Sequence, residues 1–215
     1  MSPWLALLLS FGYVFLMLGL GEGMRRWRNF SPDFTRKFIH ISVGMYSILA
    51  VLVFDQWEWA IIPPAAFVVI NFLDWKYGLV QAMTSSDRSN LGTVYFPLSF
   101  IAVIWLFWDR PELLVASLMP MTWGDALASV VGRRIGRRLY TVAGSTRSLE
   151  GSLTMFVLGA LSTWAALALF GADNPLGVAL ITAAGATLAE AVSPWGLDNV
   201  AVPAVSALLL AWLYT

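Results

Sequence analysis

Between Met121 and Ser152 the chain reads MTWGDALASVVGRRIGRRLYTVAGSTRSLEGS, and its ionisable residues fall in an order suited to phosphate chemistry. Asp125 interrupts an apolar helix. Arg133, Arg134, Arg137 and Arg138 follow it, then a small-residue segment with Arg147, then Glu150 at the head of the next apolar run. A carboxylate inside a membrane helix is costly and generally faces a cavity or a partner. There it can hold Mg²⁺ or take the proton of a hydroxyl attacking a phosphate. Equally, Asp125 can simply pair with an arginine and hold helices together. The arginines can grip phosphates, or orient the protein and bind anionic headgroups. Gly132 and Gly136, four apart, can mark only a helix contact. Ser145, Arg147 and Ser148 sit before a helix N-terminus, where backbone N–H groups and hydroxyls favour an anion.

Four further groups belong with this stretch. Arg36 and His40 are four apart on one helix face, with Lys37 beside them; the single histidine can contact phosphate, move a proton, or pack against a carbonyl. Asn71 and Asp74 share a face at the end of another apolar run, and are expected near substrate. Glu190 and Asp198 can complete a divalent-metal site of oxygen ligands, with Asn199 next to them, although Asp198 also suits a helix N-cap. Gly92 and Thr93 with Pro97 read as a cap and a kink. Neither a G-x-x-x-x-G-K-[ST] loop, nor H-R-D or D-F-G, nor a Rossmann glycine pattern occurs.

The elements that must position these groups are membrane helices. Of 215 residues, 59% are hydrophobic and 12% charged, about half the charge of a soluble domain, and the mean hydropathy is +0.73. The apolar runs are continuous rather than alternating, which excludes an outer-membrane barrel and predicts an all-α, polytopic helix bundle. At about 20 residues per span they predict eight helices, near 3–22, 34–54, 57–75, 91–109, 112–133, 150–171, 175–193 and 199–214. One integral-membrane domain over 1–215 is expected, with 121–152 as its phosphate-binding region. Without cysteine there are no disulfides or thiolate metal sites. The first run lacks a basic n-region, so it reads as a retained span.

Basic residues fix the expected topology. Twelve of the thirteen, all but Arg110, fall in the first, third and fifth connections; the positive-inside rule makes that side cytoplasmic and puts both termini outside. Trp57, Trp59, Trp105, Trp108 and Trp195 lie near span ends, as interfacial aromatics do. Asp74, Asp125, Glu150, Glu190 and Asp198 all map to the cytoplasmic ends, whereas Asp55, Glu58, Asp109, Glu112 and Asp173 fall in outer loops.

With those residues in view, the chain resembles a known family. GDALASVVGRRIG followed by STRSLEGS is similar to the paired signature of CTP-dependent polyprenol kinases, which include dolichol kinases and phytol kinases. RKFIH, LGTVYFP and SPWGLDNVAVP resemble the family's other blocks in the same order, so the likeness spans about Arg36 to Pro203. These enzymes are distantly similar to CDP-diacylglycerol synthases. The resemblance implies transfer of the terminal phosphate of CTP, or another nucleoside triphosphate, to an isoprenoid alcohol such as phytol, geranylgeraniol, farnesol or a polyprenol, with Mg²⁺.

Carried onto this sequence, it implies that Asp125, with Gly124, Ala128 and Gly132, forms the nucleotide and metal motif, and that Ser148, Glu150 and Gly151 form the second block. Arg147 stands where the family often has lysine, exchanging a point charge for a planar fork. The expected catalytic residues are Asp125, His40 and Glu150. The phosphate-binding residues are Arg36, Lys37, Gly124, Ser129, Gly132, Arg133, Arg137, Ser145, Arg147, Ser148 and Gly151. The metal ligands are Asp125, Glu190, Asp198 and Asn199. The expected partners are CTP, the lipid alcohol and the bilayer, and not nucleic acid. Two rivals remain: a cytidylyltransferase making a CDP-lipid, and a small transporter. The second is disfavoured because the charges cluster at one face and not near the midplane.

Overall fold

The computed structural model describes residues 1–28, 30–78 and 90–215; Arg88, used above for topology, lies outside them. It is a helix bundle around one central rod. Helix α1 (Pro3–Arg28) is 26 residues long, about 39 Å at 1.5 Å per residue. Helices α2 (Pro32–Gly44) and α3 (Tyr46–Val53) join at Met45 into a single run. A short α4 (Trp57–Ala60) leads into α5 (Ile62–Tyr77), which Gly78 ends in the left-handed region at φ 67°. Helix α6 (Gly92–Phe107) contains Pro97.

The rod is α7 (Pro111–Met119), a π-helical turn (Pro120–Asp125) and α8 (Ala126–Ile135). Helices α9 (Leu149–Leu169), α10 (Pro175–Val192) and α11 (Asp198–Leu213) complete the bundle. The helical segments follow the expected apolar runs, but α1 continues to Arg28 where 22 was expected, and the run expected over 57–75 is broken at Ile61. Five of them, over Pro3–Trp27, Phe34–Val53, Pro111–Ile135, Leu149–Leu169 and Pro175–Val192, are long and apolar enough to cross a bilayer, while Gly92–Phe107 and Asp198–Leu213 are shorter apolar helices. This is a membrane protein.

Burial identifies the rod as the core. Leu113, Leu114, Val115, Ala116 and Leu118 are wholly inaccessible, and α2, α3, α6, α9 and α11 pack around the rod. Its π turn has a local cause. Pro120 cannot donate to the helix ladder, and one turn on the Thr122 hydroxyl donates to the Leu118 carbonyl at 2.8 Å. Such widened turns are frequent at functional sites, and this one ends on Asp125. Gly44 lets α2 approach it, since a Cβ there would meet the Thr122 side chain.

The segment expected as a loop forms a small antiparallel hairpin instead, β1 (Leu139–Val142) with β2 (Ser145–Ser148), pairing Tyr140 with Arg147 and Leu139 with Ser148. Ala143 and Gly144 both have positive φ, 49° and 80°, the requirement of a tight hairpin turn matching strand twist. The Tyr140 hydroxyl and Ser152 Oγ, 2.6 Å apart, tie the hairpin to α9.

Small residues set the contact between the rod and α9. Gly124 packs on Met155 and Gly159; Gly132 packs on Ser148 and Gly151; a Cβ on Gly151 would sit 3.1 Å from Ser148 Oγ and 3.2 Å from the Ala128 carbonyl. Close backbone approach through small residues is how membrane helices associate tightly. Gly151→Leu should therefore wedge this contact open and lower the Tm of the detergent-solubilised protein, an overpacking loss of about 1–3 kcal/mol. Gly12→Leu, whose Cβ would meet nothing within 4 Å, should leave the Tm unchanged.

Candidate active site

Three carboxylates that are far apart in sequence meet at one end of the bundle. Asp125, from the end of the π turn, Glu190, near the end of α10, and Asp198, at the start of α11, offer oxygens that all lie within 4.8 Å of one another. They are only 7%, 5% and 9% exposed, so their charges must be balanced within the fold. Two cations stand against them. Lys37 Nζ lies 3.2 Å from Asp125 Oδ2. Arg147, from β2, is 2.9 Å from Glu190 Oε1 by Nε and 3.4 Å from Asp198 Oδ2 by Nη2, and Nη2 also donates to the Ser193 carbonyl at 3.1 Å. An all-oxygen donor set of this kind is what hard divalent cations take, and these three residues could hold one.

Local structure aims each group. Asp198 Oδ1 accepts from the backbone N–H and the side-chain Nδ2 of Asn199, both at 2.9 Å, so Asp198 serves the start of α11 as well as the cluster. The Asn199 amide also donates to the Gly196 carbonyl at 3.2 Å; its amide nitrogen positions Asp198. The turn before α11 requires Gly196 at φ 83°, because a Cβ there would strike Asn90 and the Gly92 backbone.

His40 Nε2 donates to the Met121 carbonyl at 3.0 Å, and its ring stacks on Phe96 with centroids 4.3 Å apart. A carbonyl can only accept, so the bond assigns the proton to Nε2 and leaves Nδ1 as the ring's remaining polar atom. The histidine is thus both the packed, carbonyl-bonded residue and a wall of the cavity described next.

Beside the cluster opens a cavity of about 270 Å³. At its polar end stand Arg36, Lys37, His40, Asp125, Arg147 and Asp198, with Ser129, Arg133 and Asn199 alongside. Its other end is an apolar shaft walled by α1, α2, α3, α5 and α6, among them Val14, Val43, Phe67, Phe96 and Phe100, with Tyr46 at the start of α3. From His40 to Tyr46 the helix rises about 9 Å. The Tyr46 hydroxyl donates outward to the Ala60 carbonyl at 3.1 Å.

Other expected site residues lie elsewhere. Gly124, Gly132 and Gly151 make the helix contact described above and do not line the cavity. Ser148 caps α9, accepting from Gly151 N at 3.1 Å; Ser145 is paired in the hairpin; Arg137 is exposed. Glu150 accepts from the backbone N–H groups of Arg137 and Arg138 at 3.2 and 3.4 Å, which anchors the link from α8 to the hairpin. Asp74 is buried but does not line the cavity, whereas Asn71 does. Neither the shaft nor Lys37 as the partner of Asp125, 88 positions away, was marked by the residue pattern, since Phe67 and Phe100 look like any lipid-facing aromatic.

The Arg147 bridge should be the most fragile part. Arg147→Met leaves two buried carboxylates facing each other unpaired and is expected to destabilise by about 3–5 kcal/mol. Adding Glu190→Gln to that variant should recover a measurable part of the loss, and thermal unfolding of the double-mutant cycle measures the coupling.

The chain resembles several known proteins. It is 33% identical to a phytol kinase of Synechocystis sp. over 97% of this chain and 91% of that protein. It is 30% identical to CTP-dependent diacylglycerol kinase 1 of Schizosaccharomyces pombe over 86% of this chain and 95% of that protein. It is also 26% identical to a probable chloroplastic phytol kinase of Triticum aestivum, over 89% and 71%. No protein-family model and no solved structure matches. Two relatives at this identity, each matched nearly end to end, fix the assignment: the chain is a kinase and belongs to the family of CTP-dependent lipid kinases that contains the phytol kinases.

Proposed function

We propose that the protein phosphorylates an isoprenoid alcohol, with CTP as donor, at the polar end of the cavity. The observation that carries this is the shaft: a single apolar channel running into a chamber of basic and acidic side chains. A prenyl tail needs only apolar walls. A diacylglycerol would bring two acyl chains and two ester groups into the same cavity. The diacylglycerol kinase relative keeps that lipid as the second acceptor to test.

The membrane arrangement follows from the charges. Eight crossings with both termini outside put Arg36, Lys37, Arg133 and Arg147 on the cytoplasmic face, where CTP arrives from the cytosol and the alcohol from the bilayer. In the transfer, the alcohol oxygen bonds to the terminal phosphorus, the bond to the bridging oxygen breaks, and CDP leaves. The hydroxyl proton passes to a carboxylate lining the chamber, for which Asp125, held by Lys37, is the candidate. Arg36, Arg133 and Lys37 steady the phosphates, because phosphoryl transfer depends mainly on positioning and charge. Asp125, Glu190 and Asp198 would hold Mg²⁺, which would supply further neutralisation of phosphate charge.

The test uses protein purified in detergent with Mg²⁺, γ-labelled CTP and a panel of phytol, geranylgeraniol, farnesol, a polyprenol and dioleoylglycerol. Label should enter the organic-extractable fraction with an isoprenoid alcohol and not with dioleoylglycerol. Asp125→Asn should lower that activity by about a thousandfold, in keeping with losses at groups that act on transition-state charge, while the Tm stays within a few degrees. Label on dioleoylglycerol alone would overturn the acceptor. Pyrophosphate released when a lipid phosphate is supplied would move the protein to the cytidylyltransferases.

A further inference from the structure

The apolar shaft ends inside the protein. On each wall the last residue that lines it is followed, one helical step further from the chamber, by one that does not. Val14 gives way to Ser10 on α1, Tyr46 to Ala50 on α3, Phe100 to Ile104 on α6, and Pro63 to Ala60 at the end of α4. Those steps of three or four keep to one helix face. Ser10, Ala50, Ile104 and Ala60 are all wholly inaccessible, so the next layer is packed core and not more channel. A tail that enters from the chamber meets a floor.

The largest side chain at that level is Tyr46, and it is held from two sides. Its hydroxyl reaches from α3 to the Ala60 carbonyl at 3.1 Å, and its ring lies against Phe100 of α6 with centroids 6.3 Å apart. The ring thus spans from one wall towards another, and the bond to a main-chain carbonyl fixes where it stands. The floor belongs to helices and not to a loop. Its depth below His40, about 9 Å, is set by helical rise.

We infer that Tyr46 is a specificity-determining residue that sets the longest prenyl tail the shaft accepts. This rests on the acceptor class proposed above and adds a length limit to it. A tail whose hydroxyl stands at Asp125 has to end above the Tyr46 ring, because close-packed core offers it no further room. A longer tail must buckle in the shaft or draw its hydroxyl back from the chamber, and either displaces the reacting oxygen. The lipid needs no hydrogen bond from Tyr46, whose hydroxyl is engaged by Ala60; the bulk of the ring is what it meets.

The experiment measures kcat/KM in detergent with Mg²⁺ and γ-labelled CTP along a series that grows by isoprene units: geraniol, farnesol, geranylgeraniol and geranylfarnesol, with solanesol as the long extreme. The native protein should show a best member and fall at least about tenfold from it to solanesol, the scale on which apolar pockets reject excess length. Tyr46→Ala should move the best member up the series, changing the ratio of the longer alcohol to the native favourite by about tenfold. Tyr46→Phe keeps the ring and should keep the native order. Tyr46→Leu should move the order in the same direction as alanine and serves if the alanine variant does not fold. Leu167→Ala, a hole in the buried core on α9, should lower the Tm and leave the order unmoved, which separates a length limit from general loosening. A native profile that stays flat to solanesol, or an unchanged order in folded Tyr46→Ala or Tyr46→Leu, overturns the role of Tyr46 and leaves the acceptor class standing. Absence of label in every isoprenoid alcohol overturns the acceptor class and this inference together.

Discussion

Burial of like charges is the constraint on which the rest of this structure depends. Three carboxylates with oxygens within 4.8 Å would repel one another strongly in a medium that screens poorly. They are tolerated because Lys37 comes from α2 and Arg147 from the hairpin. That requirement explains otherwise arbitrary features. The hairpin exists between α8 and α9 to bring one guanidinium over α10 and α11, and Gly44 exists to let α2 approach the π turn so that Lys37 can reach Asp125.

The same balance suits a phosphate substrate. Lysine and arginine that pair with carboxylates in the protein alone are the groups that would face triphosphate oxygens, and carboxylates so released are ready for a cation. An apolar shaft with a charged chamber at its other end would solve the problem common to amphiphile chemistry, namely holding a greasy tail and a polar reaction in one cavity.

The fold was legible in the sequence because apolar runs of membrane length admit few alternatives. The carboxylates were legible because they are scarce: in a chain only 12% charged, Asp125, Glu190 and Asp198 each interrupt or border an apolar run. What was hidden followed from degeneracy. Glycine serves equally for phosphate approach and for helix packing, so Gly124, Gly132 and Gly151 were expected at the ligand and stand at a helix contact. Glu150 carried the right charge in the right block, yet its carboxylate secures backbone N–H groups. Short β pairing over Leu139–Ser148 depends on Ala143 and Gly144 adopting positive φ, which composition alone does not dictate.

The shaft is also divided from the chamber along the chain. Its walls, from Val14 to Phe100, all precede the rod, and the carboxylates, from Asp125 to Asp198, all follow α7; Lys37, His40 and Ser99 are among the residues that reach across from the first half to the second. A protein partitioned this way can exchange one tail for another through substitutions in its first hundred residues while its charged half stays unaltered.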